Sequence, residues 1–514
     1  MRSKLIRVLF CALLSVSMIG CGSAKITSTK AEDNSEVSSA AKTNEELASQ
    51  YDALSIVLDD EQITVDGKAI STSASDAVYA ANDIVFYLEG QDFTYGEGTE
   101  EDGHSQKEAD AHTVVHITEP GNYVVSGSLS KGQIAVDLGE DAEENPDAVV
   151  TLILNNADIT CEVAPAVIFY EVYECGSTEE EDVSNTVDTA AAGANVIIAD
   201  GSENNITGSH VAKIYKSVEL NEDGTEVVDS KKLHKYDAAF YSKKSMNVDG
   251  EEDGTGVLNI AADNEGLDTE LHLTINGGNI NITSGNDGIN TNEDGISVTT
   301  INGGVVNIVV DGSTGEGDGI DSNGWLLING GTVISAACSF SQDAGIDSDK
   351  GIYINGGTVF ATGNMLDEIA DSKQNYVVFT FASRQTAGSV ITLQDEERVV
   401  VGEWTQANDF SILIFSSEKL ESGTYTLWKD GTQLSVQESR NGMRGGKGSM
   451  MGGQRPEMAE REKPKMPQDG ERPEMPEGEK PQDGEHPEIS RKTNGEAVTE
   501  FTIVDGGNMF MVIE

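Results

Sequence analysis

The sequence predicts an all-β protein whose central part is a parallel β-helix, and two observations favour this fold class. An Ile-Asn-Gly-Gly phrase occurs four times, and its asparagines, Asn276, Asn302, Asn329 and Asn355, are spaced by 26, 27 and 26 residues. The surrounding segments alternate apolar and polar side chains, turn at Gly and Asn, and show no helical period. A fixed repeat of this length is typical of stacked units that bury their apolar faces against one another.

The first 21 residues have the features of a targeting segment. A basic start is followed by an apolar run at 8–19, which is too short to span a membrane as a stable helix. The run ends in Met-Ile-Gly-Cys, which resembles a bacterial lipobox and implies a lipoprotein signal peptide with lipidation of Cys21. An ordinary secretory signal is the alternative. We expect residues 22–50 to be a flexible tether, and the mature protein to be extracytoplasmic, lipid-anchored to the bacterial cell membrane and facing the outside.

The chain then divides by the strength of its strand patterning. Residues 51–111 are weakly patterned and are predicted to form an N-terminal β segment that ends in an acidic loop. From residue 112 the alternation sharpens, so we expect the β-helix to extend over 112–374. The period is lost at residue 375, and residues 375–439 are predicted to form a small antiparallel C-terminal β domain.

The end of the chain contains a low-complexity tract. Residues 440–494 are rich in Pro, Glu and Gly, so we expect a disordered insertion that cannot bury a core. Residues 495–514 contain two apolar segments and are expected to supply the final strands of the C-terminal β domain.

Within a coil, a period of two places alternate side chains on opposite faces of the strand. Ile289, Ile320 and Ile346 are therefore expected inside, and the Asn or Asp that follows each of them outside. The Asn of each Ile-Asn-Gly-Gly phrase is expected to stack as an amide ladder at a bend, where the following glycines permit positive φ.

The overall charge excludes one class of partner. Asp and Glu number 89 against 33 Lys and Arg, a net charge of −56. Such a polyanion does not bind nucleic acid by displacing phosphate counterions. After Cys21, the cysteines Cys161, Cys175 and Cys338 give neither a disulfide framework nor a C-x-x-C motif, although the sequence leaves a Cys161–Cys175 bridge open.

Acidic and amide side chains recur at matching positions and are expected to form three solvent-facing columns. Unit charges about 5 Å apart repel by roughly 1 kcal/mol in water and about 3 kcal/mol near a low-dielectric surface, so the columns should need a cation. Oxygen ligands without His or Cys favour calcium. The alternative is that these residues only stabilise turns. The columns are Glu265, Asp287 and Asp318; Asp268, Asn290, Asp321 and Asp347; and Glu270, Asn292, Asn323 and Asp349.

Enzyme signatures are mostly absent from the sequence: it has no Gly-x-Ser-x-Gly, Walker or His-Glu-x-x-His motif. The enzyme hypothesis that remains is a polysaccharide lyase, in which Lys243 or Lys350 beside calcium would abstract the proton α to a uronate carboxylate. A solvated lysine is the ordinary alternative. Trp325 and Tyr353 are candidates for stacking on a sugar ring, unless the Trp lies beneath a covering loop.

Several phrases together resemble a family of secreted bacterial proteins with a calcium-containing right-handed β-helix that binds polygalacturonate. The resemblance covers about 112–434 and implies calcium and acidic-polysaccharide binding without established catalysis. It places calcium ligands at Asp268, Asp287, Asp318, Asp321, Asp347 and Asp349, to which the columns add Asn290 and Glu270. The phrases are Asn-Asn-Ala-Asp-Ile at 155–159, Ala-Asp-Gly-Ser-Glu-Asn at 199–204, Ala-Phe-Tyr-Ser-Lys at 239–243, Asp-Gly-Ile-Asp at 318–321 and Ile-Asn-Gly-Gly-Thr at 354–358.

The expected function is non-catalytic, calcium-dependent binding of an acidic, pectin-like polysaccharide at the bacterial cell surface. An acidic chain should repel a uronate polymer, so a calcium ion held by both would bridge them. A lyase of the same β-helix class is the first alternative. A surface adhesin or scaffold without glycan affinity is the second.

Overall fold

The computed structural model describes residues 41–179, 183–439 and 496–513. Cys21, residues 22–40 of the expected tether and the expected disordered insertion at 440–494 lie outside the described residues. The described chain is all-β, as predicted, and no helix in it is long and apolar enough to cross a membrane. Cys161 and Cys175 are free thiols, so they form no bridge with each other.

The N-terminal part of the described chain is not a separate segment, because its strands pair with strands of the central part. Its elements are, in order, α1 (Asn44–Tyr51), β1 (Ala53–Leu58), β2 (Thr64–Val65), β3 (Lys68–Ala69), β4 (Val78–Ala81), α2 (Gln106–Ala109), β5 (Thr113–Ile117), β6 (Gly121–Leu129), β7 (Gly132–Asp137), a 3-10 turn (Ala142–Glu144), β8 (Val150–Thr160), β9 (Val167–Glu171), β10 (Ala194–Ile198) and β11 (Glu203–Gly208). Strand β1 pairs in parallel with β6, from Ala53 opposite Asn122 to Leu58 opposite Gly127.

The expected flexible tether is wrong for its last residues, because they form helix α1. Thr43 and Glu46 make a capping box at its start, in which each side chain accepts from the other residue's backbone N–H. Leu47 is fully buried against Val124 and Ile153. The capping box and the burial of Leu47 together hold helix α1 against the sheet.

The central part consists of a projecting hairpin followed by strands that repeat in groups of three. The elements are β12 (Val211–Leu220), β13 (Val227–Tyr236), β14 (Ala238–Ser242), β15 (Met246–Gly250), β16 (Val257–Ala262), β17 (Glu265–Thr269), β18 (His272–Ile275), β19 (Asn279–Ser284), β20 (Ile289–Thr291), β21 (Val298–Ile301), β22 (Val305–Val310), β23 (Ile320–Ser322), β24 (Trp325–Ile328), β25 (Thr332–Ala336), β26 (Ile352–Ile354) and β27 (Thr358–Gly363). Strands β12 and β13 pair only with each other among the described strands, and the sequence analysis gave them no role.

Successive groups stack through three parallel ladders. One ladder runs through β8, β10, β15, β18, β21, β24 and β26, and a second through β8, β11, β16, β19, β22, β25 and β27. The third is an eight-stranded sheet in the order β4, β5, β7, β9, β14, β17, β20 and β23, parallel apart from β4. This sheet carries Asp268, Asn290 and Asp321 in register on neighbouring strands.

The predicted interior column and amide ladder are both confirmed. Ile289, Ile320 and Ile346 are fully buried. Each of Asn302, Asn329 and Asn355 donates its Nδ2 to the Oδ1 of the equivalent Asn one coil earlier, at 2.9, 3.0 and 2.9 Å. The second Gly of each phrase has a φ between +74° and +85°, a region that glycine enters without strain.

The C-terminal part continues one sheet of the repeat region and adds a second sheet. The elements are β28 (Tyr376–Gln385), β29 (Val390–Asp395), β30 (Val400–Thr405), β31 (Phe410–Ser416), β32 (Gly423–Lys429), β33 (Thr432–Gln433), β34 (Ser435–Glu438), β35 (Phe501–Ile503) and β36 (Gly507–Ile513). Strand β31 pairs antiparallel with β27, while β36 lies between β28 and β34. The second sheet is antiparallel, contains β30, β29, β32 and β33, and receives β35. The aromatic core of the C-terminal part includes Phe379, Trp404 and Phe415.

Candidate metal centres and glycan-binding face

The candidate site lies on one face of the eight-stranded sheet. In register across β14, β17, β20 and β23, Tyr241 pairs with Asp268, Asp268 with Asn290, and Asn290 with Asp321. The residues one position earlier, Phe240, Leu267, Ile289 and Ile320, are fully buried and face the core. The alternation therefore places the acidic and amide row on the opposite face, as predicted.

The expectation that this whole row is exposed to solvent is wrong. Asp268 has no exposed surface and Asn290 is 6% exposed. The base of the hairpin formed by β12 and β13 lies against this region: the Tyr236 ring contacts the Tyr241 ring, and Lys232 Nζ lies 3.2 Å from Glu270 Oε1. The hairpin lies outside the repeated sequence, so the repeat spacing could not predict where it packs.

The first acidic cluster consists of Asp237, Glu265 and Asp268. One carboxylate oxygen of each lies within 4.8 Å of the others, and all three side chains are buried. A cation is already present at the edge of the group, because Lys235 Nζ lies 2.5 Å from Asp237 Oδ2. The donor set consists of oxygen atoms, which is the chemistry that calcium prefers.

Amide groups hold the first cluster from one side and leave some oxygens without a partner. Asn290 Nδ2 donates to Glu265 Oε1 at 3.2 Å, and Asn292 Nδ2 donates to both Asp268 oxygens at 2.9 and 3.0 Å. Glu265 Oε2 and Asn290 Oδ1 are buried and have no hydrogen-bond partner among the described residues. A buried polar atom left unpaired costs about 1–3 kcal/mol, so these two oxygens are available to a further ligand.

The pKa values of Glu265 and Asp268 indicate that the first cluster disfavours negative charge. Burial, followed by the charges of Asp268 and Asp237, holds the pKa of Glu265 well above its usual range. Burial, followed by the charges of Asp237 and Glu270, does the same to the pKa of Asp268. Both causes disfavour the ionised carboxylates, and a divalent cation among them would reverse the effect.

The second acidic cluster consists of Asp318, Asp321 and Asp347, with oxygens again within 4.8 Å of one another. Asp321 and Asp347 are partly exposed, whereas the Asp318 side chain lies deeper and is buried. The Asp318 N–H donates to Asp287 Oδ1 at 2.6 Å, and Ala344 N–H donates to Asp318 Oδ1 at 2.5 Å. These bonds tie the carboxylates to the backbone of the next coil.

The pKa values of the second cluster are also raised. Burial, followed by the charge of Asp287, holds the pKa of Asp318 well above its usual range. Burial is the main cause that raises the pKa of Asp287 and of Asp347 to about 7, and Asp367 contributes at Asp347. Burial and neighbouring charges therefore disfavour ionised carboxylates in the second cluster, as they do in the first.

The structure brings together most, but not all, of the predicted metal ligands. Asp268 belongs to the first cluster, Asp318, Asp321 and Asp347 form the second, and Asp287 and Asn290 contact them. Glu270 instead accepts the Tyr241 hydroxyl and pairs with Lys232. Asp349 is exposed and belongs to neither cluster.

The sequence analysis missed Asp237 as a ligand. This residue directly precedes β14, the divergent first coil, in which Ala238 stands opposite Glu265. The signal that could have found it is its position: an acid immediately before the first repeat lies beside the first acid of the next repeat.

The candidate bases and the candidate stacking residues are engaged by other contacts. Lys243 Nζ pairs with Glu171, which disfavours its use as a free general base. Lys350 Nζ lies 4.6 Å from the centroid of the Trp325 ring, so a cation already covers that face. Trp325 and Tyr353 are partly exposed, but they lie on β24 and β26, outside the eight-stranded sheet.

The candidate site lies within the part of the chain that a protein-family model matches. Residues 111–377 match the family model described as "Carbohydrate-binding domain-containing protein". Among solved structures, the chain is similar to the polysaccharide lyase-like protein from C. thermocellum, in its gadolinium derivative. The two share 20% identity with a TM-score of 0.34, over 60% of this chain and 90% of that chain. A similarity of that size carries no argument about fold or function. No curated protein matches the chain.

Proposed function

The chain belongs to the carbohydrate-binding domain-containing protein family, and from this premise we propose that it binds an acidic, pectin-like polysaccharide through calcium, without catalysing a reaction on it. The proposal includes a right-handed parallel β-helix built from the three ladders, and display at the bacterial cell surface through a lipid on Cys21. The expected domain divisions at 111/112 and 374/375 belong to the same proposal.

The observation that carries the calcium proposal is the pair of unpartnered buried oxygens in the first cluster, Glu265 Oε2 and Asn290 Oδ1. Calcium takes six to eight oxygen ligands, and its site is often completed by water. Asp237, Glu265, Asp268 and Asn290 supply carboxylate and amide oxygens from two neighbouring strands, β17 and β20, and from the residue before β14. When bound, calcium would supply positive charge to acids that burial and mutual repulsion otherwise destabilise.

The two clusters suit different roles because their exposure differs. The first is buried, so a polymer cannot reach it, and an ion there would hold the coils together. In the second, Asp321 and Asp347 are partly exposed, so an ion held by them and by the buried Asp318 could accept further oxygens from a ligand. Uronate carboxylates would complete such a site, and the ion would screen their repulsion from a chain of net charge −56.

Calcium-dependent retention on a galacturonan gel tests the proposal. We expect the full chain to bind the gel in calcium and to elute in excess chelator, and Asp321→Asn to weaken retention. The matched control is Asp223→Asn, because Asp223 is exposed in the turn between β12 and β13. Undiminished retention in chelator, or equal effects of the two variants, would contradict the proposal.

The lyase alternative has its own readout. A lyase would produce unsaturated uronates, which absorb in the ultraviolet, and Lys243→Met would abolish that signal. The ion pair between Lys243 and Glu171 is the contact that disfavours this alternative. A scaffold without glycan affinity would give neither retention nor absorbance.

A further inference from the structure

A second concave surface lies on the same sheet and is lined by none of the residues of the two acidic clusters. It is a cleft of about 400 Å³ over strands β5, β7 and β9, within the size range of small-molecule sites. Val114, Gln133 and Ala135 line it from the sheet, where Val114 stands opposite Gln133. None of the residues predicted as calcium ligands lines this cleft.

The hairpin of β12 and β13 forms one side of the cleft. Leu233, His234 and Tyr236 line it from β13, while Asp83 and Val85, which follow β4, line it as well. The sheet, the hairpin and the β4 segment thus converge on one space. Such convergence of separate elements is typical of a built binding cleft and not of a flat surface.

The aromatic rings at the cleft are held in place by neighbours. Tyr236 meets Tyr170 edge to face, with centroids 5.5 Å apart and an interplanar angle of 78°. His116 stacks on Tyr79 with centroids 4.5 Å apart. His234 Nδ1 lies 2.7 Å from the Tyr236 hydroxyl oxygen. Fixed rings with polar edges offer an apolar surface to the C–H face of a sugar and hydrogen bonds to its hydroxyl groups.

The charges around the cleft exclude an anionic ligand. Asp83, Asp137, Glu140 and Glu171 line it, and the cation Lys243 is already paired with Glu171. Burial, followed by the charge of Lys243, lowers the pKa of His234, so its imidazole is neutral near neutral pH. Carboxylates accept hydrogen bonds from hydroxyl groups but repel a uronate, whose charge no cation here is free to meet.

We propose that this cleft binds an uncharged saccharide unit, and that it does so without calcium. The inference goes beyond the calcium-dependent binding of acidic polysaccharide, because it assigns a second site of different ligand chemistry. The protein would then contact a mixed polysaccharide at two places: acidic units through calcium at the second cluster, and neutral units at the cleft.

Calorimetric titration of the full chain in excess chelator tests this inference. The probes are uncharged tetrasaccharides of glucose, mannose, xylose and galactose, with the galacturonate tetrasaccharide for comparison. We expect at least one uncharged probe to bind and the galacturonate to bind no better than the weakest of them. Absence of binding by every uncharged probe, or preference for galacturonate in chelator, would overturn the inference while leaving the gel experiment unaffected.

A pair of hairpin variants locates the binding. Leu233→Ala removes a lining side chain and should weaken binding about tenfold, equivalent to about 1.4 kcal/mol. Val228→Ala is the matched control, because Val228 lies on the same strand, is 62% exposed against 48% for Leu233, and does not line the cleft. Both side chains are exposed, so both variants should fold. Equal affinities of the two variants would overturn the assignment to this cleft.

Discussion

Lys235 and Asp237 connect the hairpin to the first acidic cluster: Lys235 Nζ lies 2.5 Å from Asp237 Oδ2. Desolvation lowers the pKa of Lys235, but the carboxylates of the cluster, Asp237 above all, together outweigh it and raise that pKa above its usual value. The hairpin therefore brings its own cation to the place where we propose a calcium ion. A lysine and a calcium ion at the same carboxylates must compete.

The first prediction concerns this competition. Lys235→Met should tighten calcium binding about tenfold, because a positive charge a few ångströms away repels a second cation, and solvent around the half-exposed lysine screens that repulsion to about 1.4 kcal/mol. Calorimetric calcium titration of chelator-stripped protein measures it. Lys231→Met is the control with the same charge change, on the same strand but without an ion pair to the first cluster. Equal affinities for the two variants would contradict the competition.

The second prediction is that Glu265→Gln changes the free energy of unfolding in opposite directions with and without calcium. Glu265→Gln removes an acid whose ionisation is disfavoured by burial and by its acidic neighbours, so in excess chelator it should raise the free energy of unfolding by about 1–3 kcal/mol. In saturating calcium it should lower that free energy relative to wild type, because one metal ligand is lost. Denaturant unfolding in both conditions measures the two effects, and Glu252→Gln, at an exposed acid, is the control. The same sign in both conditions would contradict a metal at Glu265.

The third prediction concerns helix α1. The Glu251 side chain is 2% exposed and accepts hydrogen bonds from Lys42 Nζ, Gln50 Nε2 and Tyr51 OH at 2.7–3.0 Å. Glu251→Ala should release the helix, with a loss of about 1–3 kcal/mol and faster proteolysis near residue 50. Glu252→Ala should leave the rate unchanged. Unaltered proteolysis of Glu251→Ala would show that apolar burial of Leu47 alone holds the helix.

The fourth prediction is a pH dependence at His210, which lies 3.0 Å from Asp102 and 3.3 Å from Asp263. Burial lowers its pKa, but these two carboxylates outweigh burial and raise it above 6.5. A raised folded-state pKa means that the stabilisation is complete below the unfolded value and is lost as the pH rises through the folded value.

His210→Gln should therefore destabilise the protein most below pH 6.5, and the difference from wild type should shrink as the pH rises. Denaturant unfolding of both proteins across the pH range measures that difference. The control is His104→Gln, because His104 makes no ion pair among the described residues. A difference that grows with pH would contradict the ion pairs.

The sequence predicted what depends on the repeat. The buried column through Ile289 and Ile320, the amide ladder through Asn302 and Asn329, and the acidic row all follow from a fixed period combined with the two-residue alternation of a strand. Identical positions in successive coils must lie above one another, so these contacts need no knowledge of the rest of the chain.

The features that sequence analysis missed come from segments outside the period. The hairpin β12–β13, helix α1 and Asp237 contact the repeats through partners far away in sequence, such as the pair of Glu251 with Lys42. The burial of Asp268 follows from such contacts and not from its own strand. No local pattern specifies which non-repeating segment covers which coil.

Crystals grown with calcium and measured for anomalous scattering test the central claim most directly. The account predicts anomalous peaks 2.3–2.6 Å from carboxylate oxygens of Glu265 and Asp268, and from those of Asp318 and Asp321. Peaks that vanish after a chelator soak would agree with this result. Well-ordered carboxylates at both clusters without a peak, in saturating calcium, would contradict it.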